Sequence, residues 1–176
     1  MALTKIRRAA LLGQAGNIIQ IQRTQFTGTS DVSIAAATDT VLTDLTVNIT
    51  PTSTSSIIKI EAMVNGEWEN ADGAVNGVWF FYRDTTKLSH AAAGNRVVGI
   101  LMNTADGFYA ADHDSTPEHA YYSYFDTPNT TSQITYKVGV HQKTGYDWSL
   151  NKTQGDTDND AYERGISNIT VTEIAG

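Results

Sequence analysis

The chain has 176 residues, no cysteine and a formal net charge of −7 at pH 7. This length suits one domain, or one domain with a short arm, and it suffices to bury a sizeable core. The absence of cysteine excludes a disulfide framework and thiolate metal sites. Because the first sixteen residues hold three basic and no acidic side chains, residues 17–176 carry a formal charge of −10. Such an acidic body would repel phosphates, so we expect no nucleic-acid partner.

Residues 1–16 form a basic N-terminal arm and are the only segment with a helix-like composition. Apolar residues recur in it at helical spacing, with basic residues between them. A helix this short is marginal alone, so the arm either frays or docks onto a partner. The residues that would anchor it are Leu3, Lys5, Ile6, Arg7 and Arg8. No apolar run reaches membrane-spanning length or matches a secretory signal, so we expect synthesis in the cytoplasm and no membrane insertion.

From residue 17 to residue 176 the hydrophobic pattern is that of β-strands. Alternating or continuous apolar stretches are separated by breaks rich in Gly, Pro, Asn and Asp. The predicted strands cover residues 18–26, 41–49, 56–64, 77–83, 96–102, 121–125, 134–140, 146–150 and 165–174. This spacing predicts an all-β sandwich of about eight to ten antiparallel strands in one domain, 17–176. We expect the apolar last strand in the middle of a sheet.

Two of the predicted strands, 77–83 and 121–125, carry aromatic residues at both even and odd positions. Both faces of such a strand must be covered, and we predict the chain's own core on one face and a further copy of the chain on the other. Strict alternation in 134–140 instead predicts one buried and one wet face. The candidates for a homotrimer interface are Trp79, Phe81, Tyr122 and Tyr124. The same rings could line a sugar-binding groove or belong to the core.

Several Thr-rich and Asn-rich stretches resemble structural proteins of tailed bacteriophages, notably phages of marine bacteria. The stretches that carry this resemblance are residues 18–26, 49–60, 126–138, 149–152 and 167–174. Each is weak alone, and their order along the chain is the more specific signal. Together they span nearly all of residues 17–176.

The resemblance implies a jelly-roll domain similar in shape to the trimeric C1q/TNF-like heads of phage fibres and capsid decorations. It implies a place on the virion, no enzyme activity and no cofactor, with the basic arm attaching the homotrimer to a capsid or tail protein. Phage fibres usually carry a long shaft before the head, whereas only sixteen residues precede this domain. This difference favours a capsid decoration or a short fibre or spike. The alternative is the head of a tail fibre that binds a host receptor, either a cell-surface glycan or a protein.

One acidic loop has the spacing of the first ligands of a calcium-binding loop, at Asp156, Asp158 and Asp160. The sixth position is Ala161 instead of glycine and the twelfth is Ser167 instead of glutamate, so the loop is a weak calcium candidate and a solvated acidic loop is the simpler interpretation. The sequence has no Gly-x-Ser-x-Gly elbow and no Gly-rich phosphate loop after a strand. We therefore expect a protein that is not an enzyme.

Overall fold

The structure is a computed structural model that describes residues 14–70, 73, 75–103 and 115–176. These residues form eleven β-strands and no α-helix. The strands are β1 (Ile18–Phe26), β2 (Ser30–Val32), β3 (Thr38–Ile49), β4 (Ile57–Trp68), β5 (Gly77–Arg83), β6 (Thr86–Leu88), β7 (Leu101–Met102), β8 (Glu118–Asp126), β9 (Ile134–Gln142), β10 (Trp148–Leu150) and β11 (Ser167–Ile174). In this described part of the chain, no helix is long and apolar enough to cross a membrane.

The strands form two antiparallel sheets that pack face to face as a sandwich. The first sheet has the order β1-β11-β4-β10-β2, and β8 pairs with the other edge of β4. The second sheet has the order β3-β9-β5-β6, and β7 also pairs with β5. The predicted all-β antiparallel sandwich is therefore confirmed. Its eleven strands exceed the predicted eight to ten because β2 and β6, of three residues each, have no counterpart among the predicted strands.

The long strands alternate strictly between the two sheets along the chain. β1, β4, β8 and β11 belong to the first sheet, whereas β3, β5 and β9 belong to the second. This alternation is compatible with the predicted jelly roll, in which Greek-key connections cross from one sheet to the other. The last strand, β11, lies between β1 and β4, which confirms its expected place in the middle of a sheet.

The core lies between the two sheets and is built from residues at alternate positions of each strand. On β9, Ile134, Tyr136, Val138 and Val140 are each at most 2% exposed, as their strict alternation predicts. They face residues of β4 such as Ile60, which is fully buried. Burying each large side chain contributes about 1.5–3 kcal/mol, so this alternation holds the two sheets together.

The predicted strand 96–102 is wrong over most of its length, because only Leu101–Met102 pairs with β5. Just before that pair, Gly99 packs directly on the side chain of Val78 and leaves no room for a Cβ atom. The backbone N–H of Ile100 still donates to the carbonyl of Trp79 at 2.8 Å. Close packing against β5, not a regular ladder, therefore decides the path of this segment.

Candidate functional site

Strand β8 has one buried face and one exposed face. Ala120 and Tyr122 point into the sandwich and are at most 5% exposed, whereas Tyr121 and Phe125 are 63% and 58% exposed. In the single chain one face of this strand is therefore buried and the other is exposed, and the predicted cover of the second face by another copy stays a prediction. Two large aromatic rings of this strand are therefore exposed to solvent, and grouped exposed rings are typical of an interaction surface.

The register of the strands places these rings on a continuous outer face of the first sheet. Across β1, β11, β4 and β8, paired residues point to the same side, with opposite Cβ atoms about 4.5–5.5 Å apart. The outward rows are Ile18 with Ile174 and Ile57; Ile21 with Thr172, Lys59 and Phe125; Arg23 with Thr170, Glu61 and Ser123; and Gln25 with Asn168, Met63 and Tyr121. We call these residues the outer face.

The outer face concentrates most of the apolar surface that the fold leaves in solvent. Among the described residues, eight large apolar side chains are exposed, and five of them lie on this face. Those five are Ile18, Ile21, Met63, Tyr121 and Phe125. Isolated exposed apolar residues are ordinary, but a cluster on one flat sheet face is typical of an interaction surface.

Charged side chains occupy two neighbouring rows in the middle of the outer face. Lys59 Nζ lies 2.8 Å from Glu61 Oε1, and Tyr121 Oη donates to the same oxygen of Glu61 at 3.4 Å. Arg23 stands in the same row as Glu61, two strands away. Both signs of charge are therefore present on one face.

Strand β5 also has an outward aromatic ring, but residues of the same chain cover it. The outward ring of Phe80 is fully buried, because it lies on the backbone of Gly139, where a Cβ atom would clash with it. Lys87 Nζ lies 3.9 Å from the ring centroid, and the ring of Tyr82 meets that of Phe80 edge to face at 5.3 Å. The chain itself thus covers the outer face of β5.

The four predicted interface residues are not on the outer face. Trp79, Phe81 and Tyr122 are at most 5% exposed and belong to the chain's own core, and Tyr124 is half-buried against it. Tyr122 stacks on Phe81 with centroids 4.5 Å apart and donates to the carbonyl of Phe80 at 3.0 Å. They have the inward parity, which sequence alone could not distinguish. Trp79, Phe81 and Tyr122 therefore offer almost no surface to a second chain, and Tyr124 offers only part of its side chain.

The acidic loop does not gather its carboxylates. Asp156 accepts from Arg164 Nε at 2.8 Å and from Arg164 Nη2 at 2.9 Å. This bidentate pair lowers the pKa of Asp156 below its ordinary value. Asp158 and Asp160 are exposed, and no described residues form a group of three or more His, Cys, Asp or Glu side chains able to hold a metal ion. Asp156 is thus engaged by an arginine.

The arm residues Leu3, Lys5, Ile6, Arg7 and Arg8 lie outside the described residues. The described chain begins at Gln14, and its first turn is tied to the C-terminus because Gly16 N donates to the carbonyl of Ala175 at 2.7 Å. The predicted anchoring role of the arm stays a prediction.

Sequence reasoning missed a buried carboxylate that ties the two ends of the domain together. Glu173 is fully buried and accepts hydrogen bonds from Ser56 Oγ at 2.6 Å, Thr52 Oγ1 at 2.7 Å, Thr52 N at 2.7 Å and Gln20 Nε2 at 2.6 Å. Burial acts to raise the pKa of Glu173, but the hydrogen bonds from Ser56, Gln20 and Thr52 outweigh burial and lower that pKa. No periodicity distinguishes this glutamate from a surface residue.

Sequence reasoning also missed a cavity at the end of the sandwich where all three tryptophans of the chain converge. The ring centroids of Trp68 and Trp148 are 5.1 Å apart, and those of Trp79 and Trp148 are 5.3 Å apart. The cavity has a volume of about 150 Å³, and we call it the tryptophan pocket. Its wall consists of Trp68, Trp79, Leu101, Met102, Asn103, Pro117, Glu118, His119 and Trp148. The positions of the three tryptophans along the sequence carry no signal of this meeting.

A comparison with protein-family models finds no match for this sequence, and a comparison with curated proteins finds no similar one.

Proposed function

We propose that this chain is a non-enzymatic structural protein of a phage virion that assembles as a homotrimer through the outer face of its first sheet. One observation supports assembly above all others, namely that five of the eight exposed large apolar side chains lie on that face. Leaving such a face in water forfeits the stabilisation that burial of apolar area provides. Contact with another chain recovers it.

A second copy of the same chain is the occupant that this face suits best. The middle of the face holds Arg23 and Glu61 in one row and Lys59 in the next, with apolar side chains around them. Contact between two copies therefore brings both signs of charge together as well as apolar side chains. Tyr121 and Phe125 also stand beside the edge of β8, which pairs with no described strand on its far side. A closed ring that covers this edge would reduce the risk of aggregation.

The number of copies and the place on the virion come from the resemblance to trimeric C1q/TNF-like heads. The compatible strand order supports that resemblance. In this proposal the head projects from the particle as a capsid decoration or short fibre, and residues 1–16 attach it to a capsid or tail protein. The interface residues of the proposal are Tyr121, Phe125, Met63, Ile18 and Ile21.

Light scattering on the full chain and on three variants tests the assembly. The wild type should have three times the 19.1 kDa mass of the chain. Tyr121→Glu and Phe125→Glu should each reduce it to the mass of one chain, because a buried unpaired charge costs several kcal/mol. Val97→Glu is the matched control, because Val97 is 40% exposed but lies elsewhere on the molecule.

A wild type with the mass of one chain contradicts self-assembly, and a dimer contradicts the trimer. A trimer that survives both outer-face variants places the interface elsewhere and contradicts the assignment of this face. Circular dichroism on every variant confirms that the charge has not simply unfolded the chain, since both substituted side chains are exposed in the single chain.

Incorporation into particles tests the virion assignment. Particles purified from cells that express the full chain should contain it by mass spectrometry. A variant that lacks residues 2–16 should keep its trimer mass and be absent from the particles. If the truncated protein is still incorporated, the arm is not the anchor; if the full chain is not incorporated, the chain is not a virion protein.

A further inference from the structure

The second sheet carries an open cleft that shares no residue with the outer face. It lies where the start of β3 and the end of β9 meet β6 and the segment that follows β6. Its volume is about 570 Å³, within the range of roughly 300–1,000 Å³ that is typical of small-molecule sites. The polar residues of its wall are Thr38, Asp39, Lys87, Asn95, Arg96 and His141. We call it the basic cleft.

The basic cleft is positive, whereas the chain as a whole is acidic. Among the described residues that line it, Lys87 and Arg96 are cations and Asp39 is the only acid. With His141 neutral, the wall therefore carries a formal charge of +1 in a chain whose net charge is −7. A concave site lined by one sign of charge concentrates ligands of the opposite sign, so this cleft favours an anion.

Three of the charged or titratable groups in the wall meet at Asp39. Lys87 Nζ donates to both carboxylate oxygens at 3.0 Å, and His141 Nδ1 lies 2.8 Å from Oδ1. Because a carboxylate only accepts, His141 Nδ1 carries the hydrogen, and Nε2 of the neutral ring is an acceptor. Within the described chain, the His141 ring makes no other hydrogen bond. Its side chain is 15% exposed and that of Lys87 is 24% exposed, so a ligand can reach this group.

Arg96 supplies the cation that no carboxylate of the described chain neutralises. It is exposed, and its Nη1 donates to the carbonyl of Ala93 at 3.1 Å. A guanidinium has five N–H donors in a planar fork that matches a carboxylate with two parallel hydrogen bonds. Asn95, beside it in the wall, is exposed as well and offers an amide donor and acceptor.

We propose that the basic cleft binds a sugar acid, with the carboxylate of the ligand on Arg96 and a ring hydroxyl donating to Nε2 of His141. The single negative charge of a uronic acid matches the charge of the wall. A phosphate dianion brings a second negative charge that the wall does not balance and that Asp39 repels. A neutral sugar gains no ion pair from Arg96.

An NMR titration of the ¹⁵N-labelled full-length protein tests the proposal. The probes are glucuronate and galacturonate, with methyl glucoside, acetate and phosphate as comparisons, all at physiological ionic strength because salt screens exposed charges. The backbone amides of residues 37–39, 95–98 and 141 should shift saturably with at least one uronate. We expect a Kd of about 1 mM, typical of a small ligand with few polar contacts. The three comparison ligands should each bind about tenfold more weakly or less.

Two variants and one control assign the contacts. Arg96→Ala should weaken uronate binding about tenfold, because it removes a charge-assisted pair of hydrogen bonds. Lys143→Ala is the matched control, since Lys143 is exposed and lies two residues from His141 but does not line the cleft. It removes the same charge and should bind as the wild type does. Val97→Glu places a negative charge in the wall, where Val97 is 40% exposed, and should abolish measurable binding.

Several outcomes overturn the proposal. They are the absence of saturable shifts with either uronate up to about fifty times the expected Kd, and equal binding by the wild type and Arg96→Ala. Methyl glucoside that binds as tightly as glucuronate shows that the carboxylate is not recognised. Acetate or phosphate that binds as tightly shows an anion site without sugar recognition. None of these results changes the mass of the wild type or of Phe125→Glu in solution, so a failure here is distinct from a failure of the trimer.

Discussion

One buried polar residue, Glu173, connects separate parts of this chain through hydrogen bonds. Glu173 has no basic partner among its described contacts and instead receives hydrogen bonds from Ser56, Thr52 and Gln20. Those three residues belong to β1 and to the turn before β4, so one carboxylate joins three separate parts of the chain. Sequence reasoning could not find it, because a glutamate at an inward position of a strand looks the same as an exposed one.

Replacing Glu173 by glutamine should remove a source of stability that depends on pH. The lowered pKa means that the carboxylate's contribution is fully present above the ordinary glutamate pKa and is lost as the pH falls through the lower pKa of the folded state. Glu173→Gln should reduce the free energy of unfolding by about 2–4 kcal/mol at neutral pH, because an amide places a donor against donors. Urea unfolding of both proteins from neutral to acidic pH measures the effect.

The difference between wild type and Glu173→Gln should shrink towards acidic pH. Glu163→Gln is the matched control, because Glu163 is exposed, and it should unfold like the wild type at every pH. A constant difference between Glu173→Gln and the wild type across the pH range would mean that packing, not the charge, accounts for the loss.

At the scale of the strands, periodicity predicted that strands exist and often where they begin and end. The bounds of β1 and β5 are as predicted, and β9 alternates as predicted. The parity of β8 was not predictable, because aromatic residues occupy both parities and only the packing of Tyr122 against Phe81 decides which side faces the core. Because of the same ambiguity, the four predicted interface residues proved to lie on the inward side of their strands.

Strand β5 and strand β9 should be coupled through one close contact. Gly139 has no room for a Cβ atom because the ring of Phe80 occupies that space. Gly139→Ala should therefore reduce the free energy of unfolding by about 1–3 kcal/mol, the usual cost of overpacking. Chemical denaturation of the single and double variants measures it.

A smaller residue at position 80 provides the internal control for this contact. In a Phe80→Leu background, Gly139→Ala should cost clearly less than in the wild type, since residues in direct contact are not additive. Equal costs in the two backgrounds would show that the ring of Phe80 is not the obstacle.

For the whole molecule, assembly and stability should be linked. If the outer face is buried between copies, unfolding also separates the chains, and the stability of each chain then depends on protein concentration. The melting temperature of the wild type should rise by about 2–3 °C for a tenfold increase in concentration, given typical unfolding entropies for a chain of this length. Differential scanning calorimetry at two concentrations measures this shift.

The variant Phe125→Glu should melt at a temperature that does not depend on concentration, because it removes the association and leaves the sandwich intact. The control Val97→Glu should keep the concentration dependence of the wild type. A wild-type melting temperature that is independent of concentration would contradict an assembly that unfolds together with its chains.

Local patterns in the sequence were sufficient for the class of fold, the alternation of β9 and the central place of β11, because strand periodicity and turn residues act over a few neighbours. Only the tertiary structure decided which rings of β8 face water, how Gly139 lets the chain cover Phe80, and that Trp68, Trp79 and Trp148 meet around one pocket. These features depend on contacts between residues far apart in the chain. Such contacts follow from how the two sheets pack, and no local pattern encodes them.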